Sequence, residues 1–93
     1  MVRAVIQYER EPDPERYQRH LDEFVAPIEC KAFRHGKAFG AAVGEPAFAY
    51  VAEFEWDDKD AFKAAVRSEE FAASGKDAME MGIPFTVTFV ELS

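Results

Sequence analysis

The sequence is short of several residue types, and each shortage excludes a class of protein. Its single cysteine, Cys30, cannot form an internal disulfide or a cysteine-based metal cluster. No apolar run approaches the roughly 18 residues that a membrane-spanning helix needs. Basic residues number 11 against 18 acidic ones, and the net charge of −7 disfavours nucleic acid and anionic membranes as partners. The first residues lack the long apolar stretch of a signal peptide, so a reduced, cytoplasmic protein is expected.

The chain is instead rich in apolar and aromatic side chains. Hydrophobic residues make up 48% of the 93 residues, and nine residues are phenylalanine. That composition is too apolar for a disordered chain. The length accommodates one domain, residues 1–93, with no room for a second core. A domain of this size needs a well-patterned core, or a partner, to be stable.

Alternating apolar residues predict four strands. They are expected over residues 2–8, 31–43, 47–56 and 85–92. The second is the weakest candidate, because Gly36 and Gly40 lie inside it and glycine in a strand indicates a bend or bulge. The third is the clearest, because Phe48, Phe54 and Trp56 recur on one of its faces.

Capping residues and a helical apolar stripe predict helices after the first and third strands. Asp13 should cap the first helix, and Pro27 should kink or end it, because proline removes a backbone hydrogen bond. Asp57 or Asp58 should cap the second, and Ser68 offers a fresh cap inside it. The predicted order is therefore strand, helix, strand, strand, helix, strand.

Two helices cover only one face of a four-stranded sheet, so the other face must be solvated or covered by something else. In the third strand, Phe54 and Trp56 should face the helices, while Val51, Glu53 and Glu55 occupy the opposite side. This mixture of apolar and acidic groups fits an interface that also encloses a polar pocket. The pattern therefore predicts a homodimer in which two copies pack sheet to sheet.

Short motifs along most of the chain carry a family resemblance. They are Tyr8 with Asp13–Tyr17, the helix His20–Ile28, the stretch Ala49–Asp58, and Ser68–Glu70 with Asp77. In these motifs the chain resembles the EthD family of dimeric α+β barrels. The resemblance implies a ferredoxin-like βαββαβ fold with a four-stranded antiparallel sheet, whose sheets pair across a dimer to enclose one pocket per subunit. Related barrels include monooxygenases, isomerases, cyclases and dehydratases for small, often aromatic molecules, and accessory proteins without assigned chemistry.

The chain departs from this family at one position of the first helix. EthD proteins commonly have a histidine two residues before the helix proline, where this chain has Val25 before Pro27. Valine can neither transfer a proton nor bind a metal. The family's earlier helix histidine is matched by His20. The departure at Val25 favours a non-catalytic role.

His20 and Glu53 are the candidate catalytic residues. A histidine titrates near neutral pH and suits proton transfer, whereas its structural alternative is a hydrogen bond at the helix–sheet seam. Burial in a dimer-enclosed cavity would raise the pKa of Glu53 towards that of a general base, whereas its structural alternative is an ion pair with Arg3. If the Pro27 kink tilts the first helix, both side chains could share one cavity.

Four further residues are candidate ligand contacts. Arg3 and Gln7 share the face of Glu53 and could orient a polar ligand group, Val51 lies on the same face, and His35 could lie at the pocket mouth. No His-x-x-x-His pair, dinucleotide-binding glycine motif or phosphate loop is present, so no metal or cofactor is expected.

These expectations converge on a protein that binds a small apolar or aromatic molecule. One possibility is a cofactor-free enzyme of oxygenase, isomerase or cyclase type in catabolism or secondary metabolism. The alternative is a non-catalytic accessory protein that acts with a partner enzyme.

Overall fold

In the computed structural model, which describes residues 1–93, the chain forms four strands and three α-helices in the order β-α-β-β-α-α-β. The strands are β1 (Val2–Tyr8), β2 (Ala32–Lys37), β3 (Tyr50–Trp56) and β4 (Phe85–Glu91). The helices are α1 (Pro14–His20), α2 (Lys59–Val66) and α3 (Glu69–Glu80), and a π-helical segment, Leu21–Val25, continues α1. The strands form one antiparallel sheet in the order β2-β3-β1-β4, as expected for the predicted ferredoxin-like arrangement. None of the helices has the length and apolar character to cross a membrane.

The helices begin at the predicted capping residues. Asp13, Asp58 and Ser68 each accept a hydrogen bond from the backbone N–H three residues further on, at 3.0, 2.8 and 3.2 Å. The fresh cap at Ser68 divides the predicted second helical region into α2 and α3. Gly82 follows α3 with a φ of 73°, a left-handed conformation that glycine adopts without steric cost.

The connection between β2 and β3 is longer than predicted. The strands expected over 31–43 and 47–56 are shorter: β2 ends at Lys37 and β3 begins at Tyr50, which leaves residues 38–49 as a loop. Gly44 has a φ of 69°, outside strand geometry, and Pro46 has no N–H to donate to a sheet. Phe48 therefore lies in the loop and not on the aromatic strand face.

The first helix changes its hydrogen-bonding pattern before Pro27. The backbone N–H of Ala26 donates to the carbonyl of Leu21 at 2.9 Å, five residues back. In a π-helix residues five apart lie on one face, whereas in an α-helix residues four apart do. His20 and Val25, five residues apart, are consequently both buried. The helix ends at this segment, so Pro27 follows the helix and does not kink it.

The core lies between the helices and one face of the sheet. The prediction that Phe54 and Trp56 face the helices is confirmed, because the two side chains are buried against Phe71 of α3 and Phe62 of α2, with ring centroids 5.9 and 5.4 Å apart. The other buried residues of the main cluster are Ala4, Ile6, Tyr8, Tyr17, Val25, Ile28, Ala52 and Ala65.

The opposite face of the sheet carries no helix and is called the open face here. Strand alternation places on it Ala32, Arg34, Gly36, Val51, Glu53, Glu55, Arg3, Val5, Gln7, Thr86, Thr88 and Val90. Glu55 is buried even so, because Arg3 Nε donates to its Oε1 at 3.1 Å and Arg34 Nη2 donates to the same oxygen at 2.9 Å. Burial opposes ionisation of Glu55, but the two guanidinium groups lower the pKa of its carboxyl overall.

Candidate functional site

A small cavity of about 40 Å³ lies between the sheet, α1 with its π-helical segment, and α3. Its walls are mostly apolar, and the polar side chains among them are Tyr8, Tyr17, His20 and Ser74. No lysine, arginine, aspartate or glutamate lines it. The apolar wall includes Ile6, Val25, Phe33, Ala52, Phe54, Phe71, Ala78 and Val87. An uncharged group therefore suits this cavity better than an ion does.

His20 is the one histidine that lines this cavity, and 3% of its surface is exposed. Its Nδ1 lies 2.7 Å from Oδ2 of Asp77 on α3. A carboxylate can only accept, so Nδ1 carries the proton and Nε2 is the nitrogen left for a group in the cavity.

Asp77 is itself held by Arg16 of α1. The guanidinium donates from Nη1 to Oδ2 at 3.0 Å and from Nη2 to Oδ1 at 2.8 Å. Burial opposes ionisation of Asp77, but Arg16 and His20 together hold the pKa of its carboxyl below the usual value. Asp77 therefore stays ionised at neutral pH and fixes the orientation of His20.

The three tyrosines of the chain form one group around Tyr17, and Tyr17 packs against His20. Tyr17 has its ring centroid 5.9 Å from that of Tyr8, 5.4 Å from that of Tyr50 and 5.6 Å from that of His20. Burial raises the pKa of Tyr8 and of Tyr50, and burial with the neighbouring Tyr8 raises the pKa of Tyr17. The three phenols are therefore neutral at physiological pH and can donate hydrogen bonds.

The second histidine, His35, joins the same group from β2. Its Nδ1 lies 2.6 Å from the hydroxyl of Tyr50, and its ring centroid lies 5.5 Å from that of Tyr17. Strand alternation puts His35 on the helix-facing side of the sheet, at the exposed edge of the cluster. Tyr17 thus contacts both histidines of the chain, one buried and one exposed.

The structure separates the two predicted catalytic residues. Glu53 lies on the open face, where its nearest basic partner is Arg3 at 3.8 Å, while His20 lies in the helix layer on the other side of the sheet. A shared cavity for His20 and Glu53 is therefore wrong, because the sheet stands between them. Gln7 and Val51 also lie on the open face, so of the predicted ligand contacts only His35 is brought near His20.

Sequence reasoning missed the partners of His20. Tyr17 and His20 are three residues apart, which places them on one side of a helix. Asp77 comes from α3, 57 residues further along the chain, and nothing in the local pattern links the two. Val25, where the resemblance to EthD proteins implies a histidine, lines the same cavity and makes this part of its wall apolar.

A larger groove of about 480 Å³ lies elsewhere, between the segment before β2 and α2. Cys30, Lys31, Trp56 and Asp57 are among its lining residues. Burial raises the pKa of the Cys30 thiol, and Lys31 Nζ is paired with Asp57 at 2.9 Å. The groove has no histidine among its lining residues, and no three His, Cys, Asp or Glu side chains anywhere are grouped to hold a metal ion. The cavity beside His20 is the candidate site.

Comparison with known proteins relates the fold to a set of solved structures. The sequence matches no protein-family model and no curated protein. An EthD family protein from Bacillus halodurans C-125 shares 26% identity, with 100% of this chain and 99% of that chain covered and a TM-score of 0.77. An EthD-like protein from Ralstonia eutropha JMP134 shares 20% identity, with 97% and 89% covered and a TM-score of 0.73. A dimeric ferredoxin-like protein of unknown function from Thermobifida fusca YX shares 18% identity, with 98% and 90% covered and a TM-score of 0.68.

These similarities confirm the predicted resemblance to EthD proteins and the ferredoxin-like α+β fold. They extend over nearly the whole of each chain, so the match concerns the entire domain.

Proposed function

We propose that this chain binds a small, uncharged aromatic or carbonyl compound in the cavity beside His20 and that His20 exchanges a proton with it. The observation that carries the proposal is the convergence of all three tyrosines and both histidines of the chain on one cluster. Core packing alone does not require every phenol and imidazole of a 93-residue chain to meet at one place.

His20 has the surroundings of a general base. Asp77 accepts a hydrogen bond from the Nδ1–H group, which leaves the lone pair of Nε2 available to the cavity. When Nε2 takes a proton, the resulting imidazolium is stabilised by the same carboxylate at 2.7 Å. Arg16 keeps Asp77 in place from the other side. His20 can therefore accept and return a proton without leaving its position.

The buried phenols supply the complementary group. Proton removal from a carbon next to a carbonyl places negative charge on the carbonyl oxygen. Tyr8 and Tyr17 line the same cavity as His20 and stay protonated, so either hydroxyl can donate a hydrogen bond to that oxygen. The arrangement suits enolisation, isomerisation or ring closure of a carbonyl compound.

The cavity volume sets a condition on this function. About 40 Å³ accommodates a water molecule but not an aromatic ring. A ligand must therefore widen the cavity, and its mouth is bordered by Val87, an apolar side chain that is 42% exposed on the edge strand β4. Displacement of α3 from the sheet would open this side.

The experiment uses a model carbonyl compound, because enolisation can be followed without the natural substrate. The protein is incubated with 1-tetralone in D₂O, and the loss of the α-hydrogen signals is measured by proton NMR. We expect exchange faster than in buffer for the wild type and a return to the buffer rate for His20→Gln. Asp57→Asn, which alters an exposed carboxylate away from the cavity, is the control and should exchange at the wild-type rate. Equal rates for wild type and His20→Gln would contradict the proton-transfer role.

The small volume also favours the alternative, a non-catalytic accessory protein. In that case the tyrosine–histidine cluster stabilises the fold, and the exposed apolar residues Val87 and Phe89 on β4 contact a partner enzyme. Binding of 1-naphthol, followed through the side-chain signals of Tyr17 and His20, distinguishes the two functions. Shifts at these residues that 1-naphthoate does not cause support an uncharged ligand in the cavity, and the absence of shifts at millimolar concentration favours the accessory role.

We further propose that the chain acts as a homodimer joined through the open face. The open face has no helix over it, and its Val5, Val51 and Val90 are only partly exposed. Light scattering at micromolar concentration should give twice the 10.5 kDa chain mass. A folded monomer at that concentration would contradict this assembly.

A further inference from the structure

The loop between β2 and β3 carries the most exposed apolar side chains of the molecule. Phe39 is 98% exposed and Val43 is 91% exposed. Both belong to residues 38–49, a segment in which Glu45 is the only charged residue. A fully exposed phenylalanine in a loop of this composition indicates a surface that another molecule covers.

Charge identifies a second copy as the occupant. The chain has a net charge of −7, so two copies repel each other over most of their surface. The open face is an exception, because its charged residues are Arg3, Arg34, Glu53 and Glu55 and its net charge is zero. With the loop included the net charge is −1. Electrostatic repulsion between two identical chains is therefore weakest when they meet over this combined surface.

The area of the open face alone is too small for a stable dimer. Three strands of seven residues and one of six, about 4.8 Å apart, cover roughly 450 Å² per copy, or about 900 Å² in total. Stable interfaces bury about 1,200–2,000 Å². One phenylalanine buries roughly 150–250 Å², so Phe39 from each copy would supply most of the difference.

The position of the loop makes this geometry possible. It leaves from the end of β2 and is anchored by two backbone hydrogen bonds, Ala38 to Ala49 at 2.8 Å and Ala49 to Tyr8 at 2.9 Å. Phe48, at its end, lines one pocket of about 200 Å³ together with Gln7 and Thr86 of the open face. The loop is thus continuous with the surface that the second copy would cover.

We infer that residues 38–49 form the outer part of a dimer interface, with Phe39 of each copy packed against the other copy. This inference rests on the homodimer proposed above and adds the residues that hold it. It does not involve the cavity beside His20, so the interface inference and the proposed proton transfer can fail independently.

The test measures the dimer dissociation constant by analytical ultracentrifugation for three variants. Phe39→Ser should raise it by at least about tenfold, because it removes a fully exposed ring that the other copy would bury. Val51→Asp, in the open face, should also raise it, because it buries an unpaired charge. Met79→Ser is the matched control, because Met79 is 72% exposed on α3 in the helix layer, and it should leave the constant unchanged. Circular dichroism checks that each variant is folded, and Phe39 makes too few contacts within its own chain for its loss to unfold the subunit.

Each outcome decides the inference. A raised constant for Phe39→Ser and Val51→Asp, but not for Met79→Ser, supports it. If Val51→Asp dissociates the dimer and Phe39→Ser does not, the dimer stands and the role of the loop is overturned. If Phe39→Ser instead changes only the binding of 1-naphthol, the loop covers its own cavity and the inference is wrong. If neither variant changes the assembly, both the homodimer through the open face and the role of the loop are overturned.

Discussion

Replacement of Asp77 by asparagine tests the arrangement that holds His20. Asparagine has nearly the same shape, but it carries no charge and has one side-chain oxygen. Of the three hydrogen bonds that the Asp77 carboxylate accepts, two come from Arg16 and one from His20. A hydrogen bond to a charged group contributes about 1.5–3 kcal/mol, less where a partner is partly exposed, as Arg16 is. We expect Asp77→Asn to lower the free energy of unfolding by about 2–4 kcal/mol.

The expected decrease in unfolding free energy corresponds to a decrease in melting temperature. Unfolding entropy is roughly 2.1 cal/mol/K per residue, or about 0.2 kcal/mol/K for a chain of 93 residues. The melting temperature should therefore fall by roughly 10–20 °C in a calorimetric or circular dichroism measurement. The matched control is Asp57→Asn, which removes an ion pair of similar length, 2.9 Å, between two exposed side chains. Such pairs contribute about 0–1 kcal/mol, so this variant should melt within about 5 °C of the wild type.

The refuting result is an Asp77→Asn variant that behaves like Asp57→Asn. It would show that the contacts of Asp77 with Arg16 and His20 are weak and that the orientation of His20 does not depend on them. The coupling can be isolated with His20→Gln in a double-mutant cycle, where residues in contact give about 0.5–3 kcal/mol. Additive losses would contradict the direct contact.

Three further predictions concern stability. Phe54→Ala removes a buried ring whose centroid lies 4.8 Å from that of Phe33, and urea titration should show that the free energy of unfolding falls by about 3–5 kcal/mol. A decrease under about 1 kcal/mol would contradict the core position of Phe54. Folding lowers the pKa values of Asp77 and Glu55 below their ordinary values of 3.8 and 4.5, so the two ionised carboxylates stabilise the protein at a pH above those values. This contribution is lost as the pH falls through the pKa values of the folded state, so stability should decline below about pH 4.5. An unchanged melting temperature at pH 3 would disprove this. Ser68→Ala removes the N-cap of α3 and should lower the free energy of unfolding by about 0.5–2 kcal/mol in the same titration. An unchanged free energy of unfolding would show that the cap is dispensable.

The sequence allowed the element order and the sheet faces to be predicted, because these depend on local rules. Alternation in β3 placed Phe54 and Trp56 towards the helices, and polar caps located the starts of α1, α2 and α3. The ends of β2 and β3 were predicted less well. Gly44, Glu45 and Pro46 predict a turn, but the residues on either side of them are mostly small and apolar and do not show where β2 ends and β3 begins.

The candidate site was predicted only in part. His20 was identified as a candidate, but it was paired with Glu53. The spacing of residues along a helix does not predict which side chain from another element will form a hydrogen bond with a histidine beside the apolar stripe. Asp77 and Arg16 meet through the packing of α3 on α1, over a separation of 61 residues, and no pattern of spacing predicts that contact. Tyr8 and Tyr17 are buried core residues, so packing is part of the role of the tyrosines. Their joint position beside both histidines requires the assembled sheet.

The π-helical segment makes the length of the first helix a property of the site. Deletion of one exposed residue between Leu21 and Val25, such as Glu23, would allow the chain to continue as a regular α-helix. Val25 would then lie four residues after His20, the spacing that keeps two residues on one face of an α-helix. The deletion should therefore leave Val25 and Ile28 in the core, whereas a regular α-helix through all five residues would turn Val25 by about 100° and take it out of the cavity wall. The π-helical segment thus holds one more residue between His20 and Val25 than an α-helix could, and it keeps the cavity wall in place.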